Sequence, residues 1–370
     1  LTVGFAWYYY PEINRNDGGQ GVATDLASYY YAGELAADGR DYYDFANVES
    51  QQASPDRVYP YIYPPPVADL FAAMSALGGL GQVKPLWSLF SCLCLAFASV
   101  YFLTRFTSLR WEPLFGERAQ NLLGYLSICV LIFAVCSLLR LKDNLILGQV
   151  NIFVLVFISI AIVASKRNSY VVSAVALAAA TMLKLTPIFL LPFLAPMRKE
   201  DFKKYGIAFF CCALAILNLS SLVHGYGHWL DFFSASANWG YGSTVEGLFA
   251  PSVPPNNSFA GLYSKWLGDG ATAVKILSWA TLLIAFGYLF HAKRKYGIGI
   301  VLLPLLIAVV ASSPMAYRHH YIFLLPGVLA FIDILLSSAR YTGRQKLSIA
   351  LALGVCLYLA GFPWALLMGG

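Results

Sequence analysis

Charge is what this sequence has least of. Asp, Glu, Lys and Arg make up 12 % of its 370 residues, and they cluster between long apolar runs. With 59 % apolar residues and a mean hydropathy of +0.63, this scarcity excludes a soluble domain of ordinary composition. The apolar runs also lack the period-2 alternation of a membrane-barrel strand. All seven cysteines (Cys92, Cys94, Cys129, Cys136, Cys211, Cys212 and Cys356) lie inside apolar runs. No disulfide framework and no zinc-type spacing is therefore read from them. A glycine-rich phosphate loop is missing, and with it the signature of a nucleotide fold. Internal repeats and low-complexity tracts are missing too. The net charge of +6 is spread over short loops, which speaks of membrane topology and not of a nucleic-acid partner.

What is present is a set of helix-length apolar stretches. Runs 84–106, 119–139, 203–222, 271–292, 318–338 and 346–368 are each long enough to cross a bilayer. Leu1 to Tyr10 reads as the last part of a further span, so the natural N-terminus is expected to precede Leu1. One set of loops is basic: Arg105/Arg110/Arg118, Lys166/Arg167, Arg198/Lys199/Lys203/Lys204, Lys293/Arg294/Lys295 and Arg340/Arg344/Lys346. Segment 11–82 is acidic instead, with ten Asp and Glu against three Arg. The positive-inside bias puts the basic loops in the cytosol and 11–82 outside.

Residues 169–197 test that assignment, because basic loops flank both of their ends. A single helix there would invert every later loop. Two half-length helices meeting at Lys184-Leu185-Thr186-Pro187 keep all basic loops on one side, and Pro187 supports the break. The expected architecture is an all-α polytopic membrane domain over 1–370. It has about eight full spans, a first outer loop 11–82, a helical hairpin 169–197 with Lys184 at its tip, and a second outer loop 223–270. Short interfacial helices are expected in the outer loops. One is capped by Thr24 or Asp25 and stopped at Asp38-Gly39, one opens at Pro64-Pro65-Pro66, and one covers Asn256 to Trp266.

Several residues stand out chemically. Lys184 is the only charge in the apolar part of 169–197, and an intramembrane ammonium is costly unless it faces water or an anion; the plainer reading is a lysine snorkelling from the hairpin tip. Arg318-His319-His320 opens a helix at the outer face, where free N–H groups, a guanidinium and imidazoles suit a phosphate; interfacial anchoring by Tyr317 and Arg318 is the alternative. Asp25 reads as a helix cap or as a general base near a substrate hydroxyl. Gly148-Gln149-Val150-Asn151 is a polar knot at a helix end, and capping alone would account for it. Tyr59 to Pro66 is a stiff tract that lines a groove or braces a loop. Asn257-Ser258-Phe259 sits in a Pro/Asn-rich turn. His224 and His228 are spaced to share a metal on one helix face, but Gly225 and Gly227 argue against a regular helix there, so no metal is expected.

In order along the chain, these pieces resemble the polytopic glycosyltransferases of the C-type fold, and in particular glycosyltransferase family 87, whose members include polyprenyl-phosphate-mannose-dependent mannosyltransferases. The matching pieces are Asp25-Leu26-Ala27-Ser28-Tyr29 with Gly39-Arg40-Asp41-Tyr42-Tyr43, then Tyr63-Pro64-Pro65, Gly148-Gln149-Val150-Asn151, Lys184-Leu185-Thr186-Pro187, Asn257-Ser258-Phe259-Ala260-Gly261, and His319-His320 with Pro326. Asn257 stands where the family pattern has Gln. The resemblance implies that Asp25 is the catalytic acidic residue, and that donor and acceptor meet at the outer face, periplasmic or extracellular. The donor is then a polyprenyl-phosphate sugar, the acceptor a lipid or glycan, and no cofactor or nucleic acid takes part. On this reading Lys184, Arg318, His319 and His320 balance the departing phosphate, while Tyr63, Gln149, Asn151 and Asn257 contact substrate. A single promoted carboxylate favours one inverting displacement.

Two rival classes bracket this reading. A secondary transporter also places charges mid-membrane, but has no use for a large acidic outer segment with short helices. A lipid head-group transferase would carry a metal cluster and an activated Ser or Thr, for which His224/His228 is the one hint.

Overall fold

The computed structural model describes residues 24–50, 58–107, 141–238, 252, 256–313 and 315–337. The apolar runs at 119–139 and 346–368, Leu1 to Tyr10, and the loops bearing Arg110, Arg118, Arg340, Arg344 and Lys346 lie outside the described residues. Those described are helical and contain no strand: α1 Thr24–Ala37, α2 Phe45–Ser50, α3 Pro65–Ser75, α4 Leu80–Phe106, α5 Leu141–Ile146, α6 Asn151–Lys166, α7 Tyr170–Leu183, α8 Leu191–Leu194, α9 Lys199–His224, α10 Gly227–Asn238, α11 Phe259–Leu267, α12 Thr272–Tyr296, α13 Ile298–Ser312 and α14 Leu325–Ser337. Two 3-10 segments, Thr186–Leu190 and Arg318–Leu324, precede α8 and α14.

Among the described residues three stretches, Leu80–Phe106, Lys199–Leu222 and Thr272–Tyr296, are long and apolar enough to cross a membrane. At about 1.5 Å per residue each exceeds a hydrocarbon core of roughly 30 Å. Their outer faces carry exposed large apolar residues, among them Leu93, Phe210, Leu214 and Ile284. Such faces are normal only where the solvent is lipid. The shorter α6, α7 and α13 each bury one broad face, with Ile152, Leu155 and Ile162 of α6 sealed. Ala174, Ala176, Ala178 and Ala180 of α7 are buried as well, and small residues of this kind let membrane helices approach closely. Ser173 Oγ donates to Ala161 O at 2.8 Å across the α6–α7 contact.

The chain breaks where the sequence places the break. Lys184 leaves α7 in an extended conformation, with φ −158° and ψ 124°. The return limb differs from the half-length helix expected: it is a 3-10 segment followed by the single turn of α8. Pro187 and Pro192 remove two backbone donors within six residues, which starves a regular α-helix of its ladder. It is still a hairpin. Lys184 Nζ reaches Asn151 at the start of α6, and ten residues later Leu194 O accepts from Ser165 Oγ at the other end of α6, at 2.8 Å.

Basic residues gather at that second end. Lys166 donates to Phe106 O, Arg167 Nε to Arg105 O at 3.1 Å, and Lys293 Nζ to Ala195 O at 3.3 Å. The opposite end holds α1 and α3, packed so closely that a Cβ on Gly33 would stand 2.5 Å from the Phe71 backbone. The expected outer helices form with small shifts: α1 ends just before Gly39, α3 opens at Pro65, and Ser258 caps α11 by accepting from Gly261 N at 2.8 Å.

Candidate active site

Asp25 lies in the first turn of α1, where N–H groups without helical partners favour a carboxylate. The start of α1 is fixed to the turn after α5. Leu26 N donates to Leu147 O at 3.0 Å, and Trp87 Nε1 to Gly148 O at 2.7 Å. Gly148 has φ +65°, and a Cβ on it would come within 2.6 Å of Leu26 Cβ. Only glycine satisfies both conditions. The next residue, Gln149, is thereby set against Asp25.

Gln149 is buried and organises the pocket. Its Oε1 accepts from Tyr29 OH at 3.2 Å, from Tyr63 OH at 3.2 Å and from Asn151 Nδ2 at 3.3 Å. Its amide also hydrogen-bonds Asp25. Asn151 in turn accepts from Lys184 Nζ at 2.7 Å. The same ammonium lies 3.5 Å from Tyr63 OH and 5.1 Å from the Tyr63 ring centroid, a cation–π contact. A carboxylate and an ammonium thus stand on opposite sides of one amide layer formed by Gln149 and Asn151. Burial pushes the Asp25 carboxyl up to about 6, against the Gln149 hydrogen bond and the Lys184 charge, which both pull it down.

The 3-10 turn opened by Arg318 packs beside this layer. Asn144 Nδ2 donates to His319 O at 2.8 Å, and Lys184 Nζ lies 5.9 Å from the Phe323 ring centroid. His320 is buried, with Nδ1 accepting from Tyr317 N at 3.1 Å; the His319 and His320 rings meet at 4.4 Å. The Arg318 side chain lies outside the described residues.

The structure therefore brings together Asp25, Tyr63, Gln149, Asn151 and Lys184, with His319 and His320 adjoining. Asn257 enters differently from the sequence reading. It is exposed, and its backbone N donates to Ala316 O at 2.9 Å. Its neighbour Asn256 is the buried one, with Oδ1 accepting from Ser258 N at 3.1 Å and Ala316 N at 2.9 Å. The 256–258 turn thus clasps the stretch that leads into Arg318. Sequence reasoning passed over Asn144, Tyr29 and Asn256. A neutral amide inside an apolar run is the signal that marks Asn144. His224 and His228 fall in separate helices on either side of Gly225, as their glycines suggest.

No curated protein and no solved structure matches the chain. The family model that matches covers residues 61–315, more than half of the sequence, and that stretch includes Tyr63, Gln149, Asn151, Lys184 and Asn257. Asp25, His319 and His320 flank it. A membrane-helix scaffold carrying a buried amide–lysine set within the matched region is what the sequence resemblance leads one to look for, and the chain belongs to glycosyltransferase family 87.

Proposed function

We propose that this glycosyltransferase moves a sugar from a polyprenyl-phosphate donor to a lipid or glycan acceptor at the outer face of the membrane, by one inverting displacement with Asp25 as general base. Mannose is the first candidate sugar and arabinose the second. The observation that carries the reading is the placement of a carboxylate with a raised pKa and a half-buried ammonium on either side of one amide layer. A base needs a pKa near the working pH, and Asp25 at about 6 is ionised at neutrality while binding a proton better than an ordinary carboxylate.

In this scheme the acceptor hydroxyl gives its proton to Asp25 as its oxygen attacks the anomeric carbon. The bond from that carbon to the phosphate oxygen breaks, and polyprenyl phosphate leaves. Lys184, Arg318, His319 and His320 balance the charge on the departing phosphate. Tyr63, Gln149 and Asn151 position the sugar, and Asn257 meets the donor from the second outer loop. No step requires a metal. The architecture that accompanies this reading is the C-type fold with about eight spans, multi-pass in the plasma or inner membrane, with the basic end cytosolic.

The test is transfer in proteoliposomes supplied with a polyprenyl-phosphate sugar and no nucleotide sugar. Transfer is expected. Activity that needs a nucleotide sugar in vesicles free of polyprenyl phosphate would refute the donor. Sidedness is read separately by cysteine labelling, with positions near Asp44 reactive from outside and positions near Lys199 and Arg294 only from within. Outside labelling of position 199 would overturn the orientation.

A further inference from the structure

A second group of ionisable residues sits beyond the tyrosines that wall the Asp25 pocket. α9 ends at His224 and α10 starts at Gly227, and the corner between them brings the His224 and His228 rings to 5.9 Å, edge to face. His224 Nε2 faces Asp69 Oδ1 of α3 at 2.9 Å. The Tyr42 ring stacks on His228 at 4.6 Å and 11°, which carries the adjoining Asp41 to the same place. Asp231 lies three residues after His228 in α10, on the same face. Asp41, His228 and Asp231 each offer one ligand atom, and the three atoms lie within 4.8 Å of one another.

Proximity of acids alone would not make a site. Two buried polar atoms beside the cluster point to a ligand. Tyr42 is sealed from solvent, and its hydroxyl, on which Asp69, Asp41 and Asp231 all act electrostatically, has only a poorly aligned hydrogen bond with the Tyr43 side chain. His228 Nδ1 is buried without a partner. Buried polar atoms are normally satisfied, so such a pair around converging carboxylates calls for an explanation. Among the described residues no lysine or arginine forms an ion pair with Asp41, Asp69 or Asp231.

We propose that Asp41, His228 and Asp231 form a binding site for a divalent transition cation of the zinc class, which ties the 41–44 turn to α10. One imidazole with two carboxylates is a borderline donor set, better suited to zinc than to magnesium or calcium, which prefer oxygen alone. Metal–ligand distances of about 2.0–2.2 Å require the three atoms to close toward one another. Asp41 and Asp231 are exposed, and Asp41 Oδ1 accepts from Tyr43 N at 2.8 Å, which leaves its second oxygen for a cation. The open coordination position takes water, and His224 with Asp69 forms the shell behind. The site is a clip outside the transfer chemistry. Its mechanical link to the pocket is Tyr43, whose hydroxyl donates to Tyr63 O at 2.8 Å.

The experiment uses the full chain in detergent, purified without a polyhistidine tag, stripped with chelator and desalted. Zinc uptake is measured by equilibrium dialysis and calorimetry. Wild type is expected to bind one Zn²⁺ per chain. Asp231→Asn weakens binding at least tenfold, and Asp41→Asn with Asp231→Asn abolishes it. Zinc raises the unfolding temperature of wild type and not of the double variant, while the two unfold alike in chelator, which separates a lost site from a lost fold. Failure of wild type to take up stoichiometric zinc, equal uptake by the double variant, or displacement of zinc by equimolar Mg²⁺ would each overturn the proposal.

Discussion

Around Asp25 the polar groups answer one another: the carboxylate ends on Gln149, Gln149 on Tyr29, Tyr63 and Asn151, and Asn151 on Lys184. Around His228 they converge without closing, leaving the Tyr42 hydroxyl and His228 Nδ1 sealed without a well-formed hydrogen bond. Both clusters hold carboxylates within the segment read as the outer loop, and tyrosines 42, 43, 61 and 63 lie between them. The difference lies in the partners. Neutral amides leave a buried carboxylate its proton affinity, which suits a base. In the second cluster Asp69 faces one imidazole at 2.9 Å and Asp41 and Asp231 converge on another, a mixed carboxylate and imidazole set that suits a cation.

The sharpest way to break this contrast is Asp25→Asn. Asparagine caps a helix about as well as aspartate, so a mere cap predicts little change. Loss of a general base predicts a fall in transfer of about 10²- to 10⁴-fold, with donor binding kept. The measurement is sugar transfer by matched amounts of both proteins, with donor binding followed in parallel; Asp25→Glu should also be poor, because a methylene misplaces the carboxylate.

Next in size come the residues proposed to hold the phosphate. Lys184→Ala, Arg318→Ala and His319→Ala should each cost roughly 1.5–3 kcal/mol in donor binding or turnover, about ten- to a hundredfold. Arg318→Lys should recover part of the loss, since lysine keeps charge without the planar fork. Unchanged donor kinetics in all three would move the phosphate elsewhere.

The pH profile sharpens the same point. A base must be ionised, so kcat/KM should fall on the acid side of about 6, approaching tenfold per unit, and the residual activity of Asp25→Asn should lack that limb. An acid limb that persists in the variant assigns it to another group.

The smallest effect separates two adjacent asparagines. Asn256→Ala strands the N–H groups of Ser258 and Ala316 and should destabilise by roughly 1–3 kcal/mol in denaturant unfolding. Exposed Asn257→Ala should stay within about 0.5 kcal/mol. The reverse order would show that the clasp does not hold the turn before Arg318.

What the sequence made legible was local. Pro65 opening α3, Gly39 ending α1 and the break at Lys184 all follow from backbone preferences of single residues. The pairing of Lys184 with Asn151 was half legible, since each stood out as a polar residue at an apolar helix end. Partnerships set by tertiary packing were not. Asp41 comes near His228 because the Tyr42 ring beside it stacks on that imidazole, a contact that no local spacing announces. Asn256 and Asn257 are the same residue type side by side, and burial alone tells them apart.

The Gly148 turn has a dynamic consequence. Because Leu26 is hydrogen-bonded to Leu147 and lies where a Gly148 side chain would go, the start of α1 and the Gln149 turn must travel as one body. Acceptor entry by swinging α1 away from the bundle would also dismantle the amide layer. Any opening that leaves the amide layer intact must therefore lie elsewhere on the rim.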